Sequence, residues 1–159
     1  MRQHDYRQKE VQVTSNISAM SNTNRTMPTS TMIPVLAYDD LHIAIDWLSR
    51  VFGFSVRWIA GDHRAQMSLE GGAIAVTRQP GPPPDGSLST ISIMVRVSDV
   101  TQHFERAQQH GAKILHAPID FPYGERQYTV VDLNGYVWTF SQSIQDLVPE
   151  DWGGQSVNL

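Results

Sequence analysis

The chain has 159 residues, of which 40% are hydrophobic and 9% aromatic, enough to form the core of one globular domain. Its formal net charge of -4, with no long basic run, argues against nucleic acid as a partner. Cysteine is absent, which excludes disulfides and thiolate sites, and no apolar stretch reaches the ~20 residues of a membrane span. The N-terminus also lacks a secretory signal pattern, so the sequence predicts a cytoplasmic protein with no membrane contact.

The first folded unit is predicted between residues 27 and 78, after a polar segment (residues 1–26) that is typical of a flexible extension. Asp39 or Asp40 is placed to cap its helix, and Gly53 is placed to end it. Its predicted elements are a strand, a helix and three strands, at residues 31–38, 41–52, 54–60, 64–69 and 73–78.

A second unit with the same order of elements is predicted at residues 89–145, between a Pro/Gly-rich linker (79–88) and a C-terminal tail (146–159). Its helix has Asp99 as the N-cap and Gly111 as the stop. Its predicted elements lie at residues 90–97, 100–110, 112–118, 126–131 and 136–140. The repeat of about 60 residues indicates an α+β fold made of two βαβββ modules.

Two motifs extend this pattern to a known family. The segment AIDWLSRVFGFSV (44–56) ends the first helix, and VDLNGYVWTFSQ (131–142) forms the closing hairpin. With the tandem βαβββ modules, they resemble the vicinal oxygen chelate superfamily, in its glyoxalase/bleomycin-resistance branch. The resemblance covers residues 31–145, and it implies a cupped mixed sheet with helices on its outer face, and a homodimer.

The resemblance also implies four positions for metal ligands, on the first and last strand of each module. In this sequence they fall on Ile33, Val76, Ser92 and Thr139. Two of these side chains are hydrocarbon and two are neutral hydroxyls, whereas a first-row metal requires imidazole, carboxylate or amide donors. We therefore predict no metal and no cofactor at this site.

The face of the predicted cup follows from the closing hairpin. A two-residue turn at Asn134-Gly135 would pair Val130 with Thr139 and Tyr128 with Ser141, and so turn Tyr128, Val130 and Thr139 toward the cup. The predicted ligand-binding residues are Ile33, Val35, Trp58, Met67, Val76, Ser92, Met94, Arg96, Tyr123, Tyr128, Val130, Val137 and Thr139. Apolar walls with a few polar groups are typical of a small-molecule pocket.

We therefore predict a metal-independent protein that binds a small hydrophobic or aromatic compound. The sequence leaves four alternatives open. One is a lyase, isomerase or dioxygenase of the same superfamily, and another is a metal-free enzyme that uses Tyr128, Arg96 or His63 as acid–base groups. The others are a structural or protein-interaction role, and a cup filled by its own side chains.

Overall fold

The computed structural model describes residues 24–79 and 90–159. Of the predicted extension only residues 24–26, and of the predicted linker only residue 79, fall within this part of the chain. No helix in these two ranges has the length and apolar character needed to cross a membrane. The elements are β1 (Val35–Tyr38), α1 (Leu41–Trp47), a π-helical turn (Leu48–Phe52), β2 (Ser55–Ala60), β3 (Arg64–Leu69), β4 (Gly72–Arg78), β5 (Ser92–Arg96), α2 (Val100–Gln109), β6 (Lys113–Asp120), β7 (Glu125–Val131), β8 (Val137–Ser143) and a 3-10 turn (Pro149–Trp152).

The strands form two four-stranded sheets, in the orders β1-β4-β3-β2 and β5-β8-β7-β6. In each sheet the first strand of the module runs parallel to the last, and the other pairs are antiparallel. The predicted α+β fold of tandem βαβββ modules is therefore confirmed. Within one chain, each module has a separate sheet.

The predicted helix boundaries are largely confirmed. Asp40 and Asp99 cap α1 and α2, each accepting a backbone N–H hydrogen bond at 2.9 Å. The first helix ends in a π-helical turn, where the sequence predicted continuous α-helix to Phe52. Gly53 follows with φ of 82°, and a Cβ there would lie 3.0 Å from Nη1 of Arg106. The glycine is thus favoured by the left-handed backbone conformation, and a larger residue would also displace the end of the Arg106 side chain.

Both modules contribute to one hydrophobic core. Phe52 of the first module is fully buried, and its ring centroid lies 5.3 Å from that of Trp138 and 4.9 Å from that of Phe140 in the second module. Leu36 and Tyr38 of β1 belong to the same core. The helix-bearing faces of the two sheets therefore pack together.

The predicted register of the closing hairpin is wrong by one residue. Tyr128 lies opposite Phe140, and Val130 lies opposite Trp138, so that Thr129 is the partner of Thr139. Because side chains alternate along a strand, this shift turns both predicted cup residues over. Tyr128 and Val130 are fully buried in the shared core.

Two predicted cup residues of the first module also belong to the core. Val76 lies beside Leu36 of β1, and Met67 lies opposite Ile74. Both Val76 and Met67 are fully buried against the helices, so the prediction that they face the cup is wrong. On β4 the opposite face carries Ala75, the partner of Val35.

The closing hairpin joins the two modules through Asp132, which is 6% exposed. Its Oδ2 accepts hydrogen bonds from the Tyr38 hydroxyl at 2.6 Å and from the Trp138 indole at 3.0 Å. Its Oδ1 accepts from the backbone N–H groups of Asn134 at 2.9 Å and Tyr136 at 3.0 Å. Burial raises the pKa of Asp132, and these four hydrogen bonds only partly offset that effect.

The same hairpin covers the outer edge of β1. The Asn134 side chain donates to the Ala37 carbonyl at 2.9 Å, and the Tyr136 hydroxyl accepts from the Ala37 N–H at 3.1 Å. An edge strand with open N–H and C=O groups would otherwise be free to pair with another chain. The hairpin therefore has a structural role between the modules.

We expect Asp132→Ala to lower the free energy of unfolding by about 3 kcal/mol or more, because it leaves several buried donors without an acceptor. Urea denaturation followed by tryptophan fluorescence measures this change. Asp46→Ala is a matched control, since Asp46 forms only an exposed i,i+4 pair with Arg50, and such a pair contributes about 0.3–0.5 kcal/mol. A similar small loss for both variants would contradict the role assigned to Asp132.

Candidate ligand-binding site

Each sheet has one face that packs against no helix. We call the face of the β1–β4 sheet the first helix-free face, and the face of the β5–β8 sheet the second helix-free face. The alternation of the strands and their register place the following residues on the second helix-free face: Ser92, Met94, Arg96, Glu125, Gln127, Thr129, Val137, Thr139, Ser141 and Ser143.

The first helix-free face is contacted by the chain's own residues 25–27. The indole N–H of Trp58 donates to the Thr26 carbonyl at 2.8 Å. Arg57 Nη2 donates to the carbonyls of Arg25 at 3.3 Å and Met27 at 3.2 Å. Arg57 also binds Gln66, which is only 3% exposed. The donors on this face are thus occupied by an intramolecular segment.

The second helix-free face bears an open groove of about 600 Å³, which we call the C-terminal groove. Its size lies within the usual range of small-molecule pockets. The groove is lined by Met94, Arg96, Tyr123, Glu125, Gln127, Ser141, Leu147, Pro149, Trp152 and Leu159.

A hydrogen-bonded chain on the floor of this groove holds Glu125. The hydroxyl of Ser141 donates to Glu125 Oε2 at 2.6 Å, and the hydroxyl of Ser143 donates to Oε1. Ser143 in turn accepts a hydrogen bond from Arg96 Nη2 at 2.7 Å. Partial burial alone would raise the pKa of Glu125, but the two serine hydroxyls and the charge of Arg96 lower it below its usual range. Glu125 is therefore a carboxylate at neutral pH.

The chain continues toward the mouth of the groove. Gln127 donates from Nε2 to the Ser141 hydroxyl at 3.1 Å, and the Tyr123 hydroxyl donates to Gln127 Oε1 at 3.3 Å. Tyr123 packs edge-on against Trp152, with ring centroids 5.8 Å apart. The groove thus combines an aromatic wall with a fixed row of polar groups.

The predicted site residues divide into groups. Five of them lie on the helix-free faces: Val35, Trp58, Ser92, Val137 and Thr139. Ile33 is half-buried just before β1. Three predicted residues line the C-terminal groove together: Met94, Arg96 and Tyr123. Seven lining residues were not predicted from the sequence: Glu125, Gln127, Ser141, Leu147, Pro149, Trp152 and Leu159.

The side chains at the metal positions of the superfamily do not fit a metal ion. On the second helix-free face these positions carry the hydroxyls of Ser92 and Thr139, and Val76 points into the core. The carboxylate on this face, Glu125, accepts two serine hydroxyls and lies near the cationic Arg96. Within residues 24–79 and 90–159, no three His, Asp or Glu side chains are grouped to hold an ion.

A second cavity, of about 560 Å³, lies between the modules beside His103. As a carbonyl can only accept, His103 Nε2 donates to Phe52 O at 2.8 Å, and its Nδ1 accepts from the Tyr128 hydroxyl at 2.6 Å. Arg106 donates to the carbonyls of Ser49 at 3.0 Å and Arg50 at 2.9 Å. These polar groups of α2 cap the end of the first helix, so the cavity is best interpreted as part of the joint between modules.

Comparison with known proteins places this architecture in a family. The chain belongs to the Glyoxalase/Bleomycin resistance protein/Dioxygenase superfamily, whose family profile matches residues 30–140. A comparison with functionally curated proteins found no match.

Several solved structures resemble the chain. TioX from Micromonospora sp. ML1 is 38% identical, with 72% of this chain and 98% of TioX covered and a TM-score of 0.60. The bleomycin resistance determinant encoded on transposon Tn5 is 18% identical, covering 74% and 100%, with a TM-score of 0.61. The fosfomycin resistance protein FosX from Listeria monocytogenes is 14% identical, covering 79% and 98%, with a TM-score of 0.59. The last two show the shared fold alone.

The half-buried His103 makes stability depend on pH. Burial lowers its pKa; the hydrogen bond to Phe52 O opposes this effect, and the charge of Arg106 adds to it. The unfolded chain, where a histidine has a pKa of about 6.5, therefore binds a proton more readily than the folded chain. We expect the free energy of unfolding to fall as the pH drops below about 6.5, by up to about 1.4 kcal/mol per pH unit.

His103→Gln removes the titrating group, and we expect it to flatten this slope between pH 7.5 and 5.5. Urea denaturation at several pH values measures it. His42→Gln is the control, because His42 is exposed in the first turn of α1 and should leave the slope unchanged. An unchanged slope in His103→Gln would contradict the assignment.

Proposed function

We propose that the chain is a metal-independent binding protein that holds a small hydrophobic or aromatic compound in the C-terminal groove. The observation that carries this proposal is the composition of the groove. Met94, Leu147, Pro149 and Trp152 provide apolar contact area beside an ordered row of polar side chains. Few polar groups fixed among apolar walls orient a ligand without having to react with it.

The polar groups of the groove favour binding over acid–base catalysis. A general base works best with a pKa near the working pH, whereas the pKa of Glu125 is lowered from an already acidic range. Tyr128 lies in the core, where burial raises its pKa far above neutrality. His63 lies exposed in the β2–β3 turn, away from the lining of the groove.

Metal independence is supported by the donor chemistry of the groove. Serine and threonine hydroxyls at the metal positions are poor ligands for Zn²⁺, Ni²⁺, Fe²⁺ or Mn²⁺. The guanidinium of Arg96 would also repel a cation beside Glu125. A metal-dependent lyase, isomerase or dioxygenase is the alternative that the superfamily offers, and it requires a donor set that this face does not provide.

The proposal includes a cytoplasmic homodimer. Ile59 on β2 and Ile119 on β6 expose 46% and 53% of their surface, and neither lines the C-terminal groove. Both lie on outermost strands of their sheets, where a second copy would cover them and leave the groove open. Light scattering of the purified protein tests this part of the proposal.

Calorimetric titration of the full chain with planar aromatic compounds, such as naphthalene and quinoline derivatives, tests the function. We expect binding that persists after dialysis against a chelator, and elemental analysis without stoichiometric metal. Met94→Glu should abolish binding because it places a charge in the groove, while Ile43→Glu, at an apolar residue of α1 that is 61% exposed outside the groove, should not. Stoichiometric, tightly bound Zn, Ni, Fe or Mn would instead support the metal-dependent alternative.

A further inference from the structure

We propose that the ligand of the C-terminal groove is a planar aromatic acid, with its ring against Trp152 and its carboxylate on Arg96. This inference rests on the proposed binding function and adds the chemical class of the ligand. It depends on three observations: the unequal screening of the two charges of the groove, its fixed aromatic wall, and the occupied donors of the first helix-free face.

The two charged groups of the groove differ in how they are screened. Each oxygen of Glu125 receives a serine hydroxyl, from Ser141 and Ser143. Arg96 is exposed and donates to the Ser143 hydroxyl, and a guanidinium has five N–H donors. A ligand that enters the groove therefore meets the positive charge of Arg96. The negative charge of Glu125 is already hydrogen-bonded to the two serines.

The partner of Arg96 also sets it apart from other arginines of the chain. Arg50, Arg78 and Arg126 form ion pairs with aspartates at 2.9, 2.7 and 2.6 Å. Arg96 instead contacts the neutral Ser143, which stands between it and Glu125 in the hydrogen-bonded chain. A planar guanidinium in this position matches the two oxygens of a carboxylate. A neutral ligand that covered the guanidinium would remove water from its charge without replacing the hydrogen bonds of that water.

The aromatic wall is held in place by the C-terminal motif PEDWGG (149–154). It contains the 3-10 turn, which is followed by Gly153 in the left-handed conformation, and Trp152 packs over Gly154, where a Cβ would lie 2.8 Å from the indole ring. Upstream, a Cβ on Gly124 would lie 2.4 Å from the Gln145 carbonyl, so this glycine allows the outgoing chain to cross the β6–β7 loop. The ring is therefore positioned beside Tyr123 before any ligand binds.

The first helix-free face does not offer an equivalent site. Its indole donor Trp58 and its guanidinium Arg57 already bind carbonyls of residues 25–27. The two modules of one chain are thus unequal, despite their common βαβββ order. One ligand per chain is expected.

Two isosteric probes, 2-naphthoate and the neutral 2-naphthamide, test this proposal by calorimetric titration of the full chain. We expect 2-naphthoate to bind at one molecule per chain and about 10- to 100-fold more tightly than 2-naphthamide, as a charge-assisted hydrogen bond predicts. Arg96→Gln should remove most of this difference by weakening 2-naphthoate and leaving 2-naphthamide nearly unchanged. Arg126→Gln is the matched control, because Arg126 pairs with Asp120 outside the groove.

The possible results separate the two proposals. If both probes bind with equal affinity, and Trp152→Ala lowers that affinity about 3- to 10-fold, the proposal of an acidic ligand is overturned and the proposed binding function is kept. A loss in Arg126→Gln as large as in Arg96→Gln would also overturn it, since the preference would then reflect overall charge. If neither naphthalene probe nor any other planar aromatic compound binds, the proposed function itself fails.

Discussion

The buried carboxylate of Asp132 is the constraint on which the arrangement of the two modules depends. A carboxylate removed from water is costly unless its oxygens are hydrogen-bonded, and here the four donors come from both modules. Tyr38 belongs to β1, whereas the other three donors belong to the closing hairpin. Satisfying Asp132 therefore fixes the hairpin against the edge of the first sheet. The tight turn of this hairpin serves assembly, and the proposed ligand contacts come from the strands behind it.

When the modules are joined in this way, the helix-bearing faces of both sheets are buried in one core. The helix-free faces lie outside this core and can contact other segments or ligands. The two faces then differ because of the segments that flank the modules. The first is contacted by residues 25–27, whose carbonyls bind Arg57 and Trp58. The second is bordered by the C-terminal tail, which adds Trp152 to the wall of an open groove. A duplicated fold thus presents one candidate site per chain.

The sequence was sufficient to predict the elements, the caps and the βαβββ repeat, because hydrophobic alternation and Asp and Gly at helix ends are local signals. It also placed Met94 and Arg96 correctly on the open face, since their positions follow from the strand that leads into Asp99. The hairpin register could not be predicted in the same way. The dipeptide Asn134-Gly135 favours a two-residue turn, but Asp132 accepts two backbone N–H groups and lengthens the loop.

This single-residue difference explains why Glu125 and Gln127 were missed, while four of the seven missed lining residues lie in the C-terminal tail. Gln127 and Thr129 lie on the second helix-free face, where the predicted register had placed Tyr128 and Val130. Trp152 was missed for another reason: it lies in a tail without periodicity, where the only signal is a proline before the tryptophan and two glycines after it. Packing of such a tail on a distant face depends on tertiary contacts that a local pattern does not contain.

The central claim is that the second helix-free face is the binding site, and a crystal structure of the full chain with 2-naphthoate tests it most directly. We expect the carboxylate within hydrogen-bonding distance of the Arg96 guanidinium, and the naphthalene ring in contact with Trp152. A ligand bound instead on the first helix-free face, or in the cavity beside His103, would contradict this account.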